Sequence, residues 1–215
     1  MASYLPYISG TQNQTVLGHY AVSQLSGSIA ATPTALDVHA SIRWAPTMAN
    51  TYLVLTRLKV GWAVITAITT AVRMSYQAII ARGFSVDFTT AATAINMATV
   101  SKTNAMRSNM GNSLMGVSGP RICTTTTQSG HTYTLDNAPF AITNWNVPAI
   151  LTGTVSVPAG IAGNVQTLYD WTMPGAHPVV LSNNEGVIVR LTHTGWADGT
   201  VSLYTQWEWA EVAAV

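Results

Sequence analysis

Apolar and polar side chains alternate with a period of two over several stretches, as expected of strands with one wet face. From Leu36 to Trp44 the even positions Leu36, Val38, Ala40, Ile42 and Trp44 are apolar, and Asp37, His39, Ser41 and Arg43 lie between them. The run from Val54 to Val64 sets Val54, Leu58, Val60, Trp62 and Val64 against Arg57, Lys59, Gly61 and Ala63. Val72, Met74, Tyr76, Ala78 and Ile80 alternate with Arg73, Ser75, Gln77 and Ile79 as far as Arg82-Gly83, where a turn or bulge is expected. Near the C-terminus Val187, Val189 and Leu191 share one face, and Val201, Leu203, Trp207 and Trp209 oppose Ser202, Tyr204, Gln206 and Glu208. The short turn from Gly195 to Gly199 predicts that these last two runs form an antiparallel hairpin, because parallel pairing requires a long crossover.

Alternation fails from Thr89 to Met115, a stretch rich in Ala, Thr, Asn and Met. It reads as a long surface loop with one helical turn around Ala91 to Ala98, and loops of that length are usually functional or ordered from outside. Shorter strands are expected within Arg121 to Gln128, Tyr133 to Leu135, Thr152 to Val157 and Val179 to Leu181. About eight strands separated by turns predict an all-β fold, an antiparallel two-sheet sandwich of jelly-roll type. Residues 16–215 read as a single β-sandwich domain with a loop insertion around 86–119. Residues 1–15 read as an N-terminal arm in which Tyr4, Leu5, Tyr7 and Ile8 precede a polar spacer.

Composition changes this picture in one respect. Of the 215 residues 48% are hydrophobic and only 8% are charged, with a net charge of +1, against about 25% charged in an average soluble domain. Little charge repulsion keeps such molecules apart, so the chain reads as a subunit whose surface is shared with neighbours. Scattered Lys and Arg argue against nucleic-acid binding, which needs clustered cations. The apolar stretch from Thr51 to Met74 contains Arg57, Lys59 and Arg73, so no membrane span is expected. A lone Cys123 excludes an intrachain disulfide, and the first residues lack a secretory signal, which fits assembly in a reducing cytoplasm.

The residues that could carry chemistry are dispersed. His19, His39, His131, His177 and His193 form no local metal-binding pair, and His39 reads as a solvated or hydrogen-bonded surface imidazole. Glu208 and Glu211 have opposite strand parity, which makes them poor partners for paired-carboxylate catalysis. Asp198 and Asn184 precede or flank glycines in turns, where their backbone preferences account for them. No nucleophile elbow or phosphate-binding loop is present. No catalytic residue, cofactor or metal is therefore expected. Trp44, Trp62, Trp207 and Trp209 fall on apolar parities and read as core, whereas Trp145, Trp171 and Trp196 fall in expected loops. Those three, with Tyr4, Leu5, Tyr7 and Ile8 of the arm, are the candidate contact residues for a glycan or another subunit.

Several short motifs occur in order: ASIRW at Ala40 to Trp44, LTRLKVGW at Leu55 to Trp62, ARGFS at Ala81 to Ser85, TLDNAPFA at Thr134 to Ala141, LSNNEGVIVR at Leu181 to Arg190, and WEWAEV at Trp207 to Val212. Together they resemble a family of small virion structural proteins of tailed bacteriophages, over most of the chain after about Gly18. The resemblance implies a β-sandwich that decorates or cements the head shell, or one belonging to a fibre or tail appendage, and it brings no catalytic residues. The expected protein is a non-enzymatic capsid decoration or cement protein of the phage head, assembled in the host cytoplasm. Its expected partners are the major capsid protein and itself, as a homo-oligomer for which a trimer fits the three-fold positions of icosahedral shells. The alternative is a fibre or receptor-binding module contacting a host glycan.

Overall fold

The two longest alternating runs pair with each other. In the computed structural model, which describes residues 16–30, 32–95, 97, 111–125, 127–147, 165–192 and 195–213, β3 (Thr51–Thr66) lies antiparallel to the final strand, β12 (Thr200–Ala213). β1 (Val16–Leu25) pairs along the far edge of β12. Two short strands, β9 (Gln166–Asp170) and β10 (Val179–Leu181), line the far edge of β3 in tandem, interrupted by residues 171–178. In the second sheet β11 (Glu185–Leu191) lies between β2 (Val38–Trp44) and β4 (Val72–Val86). β7 (Thr132–Leu135) and β8 (Ala141–Val147) again share one edge in tandem, that of β4, while β5 (Ala92–Ala94) and β6 (Arg121–Cys123) extend the sheet beyond β2. Short, interrupted edges of this kind discourage edge-to-edge aggregation.

Strands β1 to β4 alternate between the two sheets, and the chain returns at its end to slot β11 between β2 and β4 and β12 between β1 and β3. That strand order is a jelly roll. It also corrects the expected hairpin of the last two runs, since β11 and β12 lie in different sheets. The turn between them crosses the sandwich and carries Trp196, fully buried, into the interior, where a tight hairpin would leave the indole in water. The crossing is tied to the β1–β2 connection by Thr32 N–H to Trp196 O, 2.7 Å, and Gly195 N–H to Pro33 O, 2.9 Å.

Trp44, Trp62, Trp207 and Trp209 all pack in the core between the sheets, as their parity predicts. One parity assignment fails. Leu55 pairs with Trp209 and Arg57 with Glu208, so Thr56 is an extra residue on β3, a β-bulge. Leu53 and Leu55 consequently face the core together with Leu58, Val60 and Trp62. Val54, expected to share a face with Leu58, points the other way, into a small cluster with Ala210 and Val212. A second bulge explains another correction. Val189 pairs with Ala40 and Arg190 with Val38, which leaves His39 as the unpaired residue. His39 is not a surface imidazole: it is fully buried, with Nδ1 2.9 Å from the Tyr76 hydroxyl.

One end of the outer face of the second sheet is covered by the chain itself. Phe84 and Phe88 pack edge-on at 5.5 Å over Ile79, Ala81 and Ile188. The left-handed Gly83 (φ 59°) turns β4 toward them, the expected irregularity at Arg82-Gly83. A Cβ at Gly186 would collide with the Ile42 carbonyl and come within 2.7 Å of the Phe84 ring, so this packing requires glycine there. Arg43 clamps the flap by donating to the carbonyls of Phe84 and Ser85, to Asp87 and to Asn184 Oδ1.

Part of the segment expected to be a loop with a helical turn at Ala91 to Ala98 is instead strand β5; residues 96 and 98–110, and the candidate strand Thr152 to Val157, lie outside the described residues. Residues 111–118 plug one end of the sandwich. Ser113 Oγ, Leu114 N–H and Trp209 Nε1 all donate to the carboxylate of Glu211, and Met115 and Met97 enter the core. Glu211 is 0% exposed. Burial pushes its pKa above the usual carboxylate range, and the three donors work in the opposite direction.

Glu211→Ala strands those three donors and is expected to destabilise the fold by about 3 kcal/mol in urea titrations, with Glu211→Gln far milder; equal losses would contradict the anchoring role. Burial also lowers the His39 pKa from 6.5 to about 4. Its neutral form is the folded one, so its contribution is complete above the unfolded pKa of about 6.5 and is lost as pH falls toward 4, by about 3 kcal/mol in total. Thermal melts are expected to fall in Tm across that window and to flatten in His39→Gln; an unchanged slope would contradict this.

Candidate interaction face

The first sheet presents an outer face that no strand covers among the described residues, and its residues follow from the register. One row across the strands is Ala21, Glu208, Arg57 and Asp170. Toward one end lie Ser23, Gln206 and Lys59, then Leu25, Tyr204 and Gly61. Toward the other lie His19, Ala210, Val54 and Val180, then Val212 and Tyr52. A polar relay joins the middle rows: Ser23 Oγ to Tyr204 OH, 3.1 Å; Tyr204 OH to Gln206 Oε1, 3.1 Å; and Gln206 Nε2 to Glu208 Oε1, 2.7 Å. Arg57 continues it, 3.4 Å from Glu208 and 2.9 Å from Asp170. Burial raises the Asp170 pKa, but hydrogen bonds from Thr172 and Arg57 outweigh it and hold the carboxyl below its usual value. Arg57, Asp170 and Glu208 are thus paired within the face, while Lys59 has no ion-pair partner among the described residues.

The rows beyond the ion pairs form an apolar corner built on the bulge. With Thr56 displaced from the ladder to β12, its carbonyl accepts from Trp171 N–H at 3.1 Å. The Trp171 side chain packs against Val54, Ala210 and Val212. Tyr169 braces the 171–178 excursion, donating its hydroxyl to His177 O at 2.5 Å and accepting Val179 N–H at 3.0 Å. Burial pushes the Tyr169 phenol up to about 12. Around this corner Met173 is 54%, Val180 49% and Tyr52 36% exposed.

Of the three expected loop tryptophans, Trp171 alone lies at this face. Trp145 is on strand β8, not in a loop, and is 3% exposed, packed edge-on against Tyr76 at 6.0 Å. Trp196 is in a loop but buried, as described. Neither ring is available to a ligand on the surface of the single chain. Tyr4, Leu5, Tyr7 and Ile8 lie outside the described residues. Tyr52, Met173 and Val180, which sequence reasoning did not single out, complete the corner; their only signal was their position beside Val54 and Trp171, visible once the register is known.

All eight acidic residues are engaged in bonds that shape the fold. Besides Asp170, Glu208 and Glu211, Asp37 accepts from Thr34 N–H, Asp87 pairs with Arg43 and Arg121, Asp136 and Glu185 pair with Arg82, and Asp198 accepts from Thr69. Among the described residues no group of His, Cys, Asp and Glu could hold a metal ion. Cys123 is buried on β6, and burial pushes its thiol up to about 12, far from a nucleophile's range.

No protein-family model matches the chain, and no curated protein matches it. Solved structures do. The chain is similar to Merkel cell polyomavirus VP1 in complex with disialyllactose, at 8% identity and a TM-score of 0.36, over 97% of this chain and 98% of that one. It is similar to VP1 of trichodysplasia spinulosa-associated polyomavirus at 8% identity and a TM-score of 0.33, over 97% and 98%. A chain of the Israeli acute paralysis virus full particle, heated to 63 degrees, matches at 11% identity and a TM-score of 0.20, over 98% and 74%.

Arg57→Ala, which cuts the exposed relay, is expected to cost at most about 1 kcal/mol. Trp171→Ala, which uncovers Val54, Ala210 and Val212, is expected to cost about 1–2 kcal/mol. Chemical denaturation of both variants checks the order, and a larger loss for Arg57→Ala would contradict it.

Proposed function

We propose that the chain is a structural protein of a virus particle, a capsid decoration or cement subunit of a tailed-bacteriophage head, present in many copies and bound to the major capsid protein and to copies of itself. The observation that carries this reading is the asymmetry of the two outer faces. The chain covers one end of the outer face of its second sheet with Phe84 and Phe88, and Ile142 stays exposed farther along it. Among the described residues it leaves the first sheet's face uncovered, with Arg57, Asp170 and Glu208 paired and apolar side chains at Tyr52, Val180 and Leu25 exposed. The end of this face around Val54 and Val180 desolvates at low cost, because the charges next to it are already paired.

Other observations point the same way. Jelly rolls recur in viral shell proteins, as they do in lectins and cupins. Arg43, Arg57, Arg82 and Arg121 are held in ion pairs, which favours the outside of a shell over a surface lining the genome, where phosphates demand uncommitted cations. Many repeated contacts convert modest single-interface energies into durable attachment. The burial of Trp145 and Trp196 leaves the glycan-binding alternative with Trp171 alone.

Co-sedimentation of the purified chain with particles stripped of it tests the proposal. Binding is expected to saturate at the high copy number of a shell component, and Val180→Asp is expected to weaken it about tenfold or more, the equivalent of about 1.4 kcal/mol. A variant that binds as well as the parent, or a parent that never sediments with particles, would contradict it.

A further inference from the structure

We infer that the apolar corner of the first sheet, at Tyr52, Val54, Trp171, Met173 and Val180, receives Tyr4 to Ile8 of the N-terminal arm of a neighbouring copy, so that copies are linked by exchanged arms. The inference deepens the reading above, since exchange supplies the self-association that reading requires.

The corner asks for a particular occupant. Its exposed side chains are apolar or aromatic, and the nearest charges, Arg57, Asp170 and Glu208, are already engaged with one another. The segment Tyr4-Leu5-Pro6-Tyr7-Ile8 offers matching chemistry: two phenol rings, two aliphatic side chains, and no Lys, Arg, Asp or Glu anywhere in residues 1–15. Pro6 biases Leu5 toward extended backbone, a shape that can lie along a sheet face with little ordering cost.

Position and length point to a neighbour. Val16 pairs with Val212, which pairs with Tyr52, so the corner lies only about two strand spacings, roughly 10 Å, from the start of β1. Folding back over that distance requires one tight reversal, for which a four-residue turn suffices. Ser9 to Thr15 instead forms a spacer of Ser, Gly, Thr, Gln and Asn; extended, it spans about 24 Å. It carries no apolar side chain that would hold a return path across its own sheet, and it is long enough to cross between adjacent domains.

Disulfide trapping with the full chain tests this directly. Tyr7→Cys and Val180→Cys variants are prepared separately, mixed, and oxidised with diamide; buried Cys123 does not compete. The mixture is expected to give a covalent two-chain species at least about fivefold above either variant alone, and above a mixture in which Ser23→Cys, at the far end of the same face, replaces Val180→Cys. No excess in the first mixture would overturn the inference. So would a Tyr7→Cys/Val180→Cys double variant that closes only within one chain. Deletion of residues 1–8 should also reduce the oligomer in sedimentation velocity while leaving the thermal melt of the domain within a few degrees. Because trapping uses purified chain alone, its failure with particle binding intact rejects arm exchange only, and trapping without particle binding rejects the virion role only.

Discussion

The extra residue at Thr56 interrupts the pairing of β3 with β12 and reverses, within one step, which side chains of β3 face the interior. Without it a strand of this length could bury either Leu53 and Leu55 or Leu58, Val60 and Trp62, but not both sets, because parity is fixed along a regular strand. With it all five reach the core, and Val54 is turned out beside Ala210 and Val212. The carbonyl displaced by the bulge then fixes Trp171, and the next position, Arg57, meets Asp170 and Glu208. The packed interior and the outward apolar corner are thus two consequences of one backbone irregularity.

Scarcity of charge shapes the rest of the molecule. With eight acidic groups in the whole chain, each is tied to a neighbour, and Glu211 is held by neutral donors in the sandwich interior. A buried carboxylate without a cation is costly to desolvate, and its three donors recover that cost only when the 111–118 segment is in place. Closure of that end of the sandwich is therefore coupled to the last strand, far along the chain from the plug.

Fold class was legible from parity: the runs containing Trp44, Trp62, Trp207 and Trp209 were periodic enough to assign strand, core face and sandwich together. What the alternation could not carry was pairing. A short turn such as Gly195 to Gly199 serves a hairpin or a crossing between sheets equally well locally, and the choice depends on where Trp196 can be buried. The bulges at Thr56 and His39 were likewise silent, because an unpaired residue is defined by the partner strand. The candidate face suffered most. Trp145 sits in AITNWNV, where Asn residues flank it and suggest a loop, although β4 supplies its pairing. Tyr52 and Val180 are distant in sequence and share this face only because β10 pairs along the edge of β3.

The central claim is that the outer face of the first sheet is covered by neighbouring subunits in the assembled particle. A density map of the intact particle, resolved well enough to trace strands, tests it most directly. The account predicts continuous protein density from another chain over Val54, Val180 and Trp171, with the Phe84–Phe88 side turned away from that contact. Contacts confined to the Phe84–Phe88 side, with the first sheet facing bulk solvent, would contradict it.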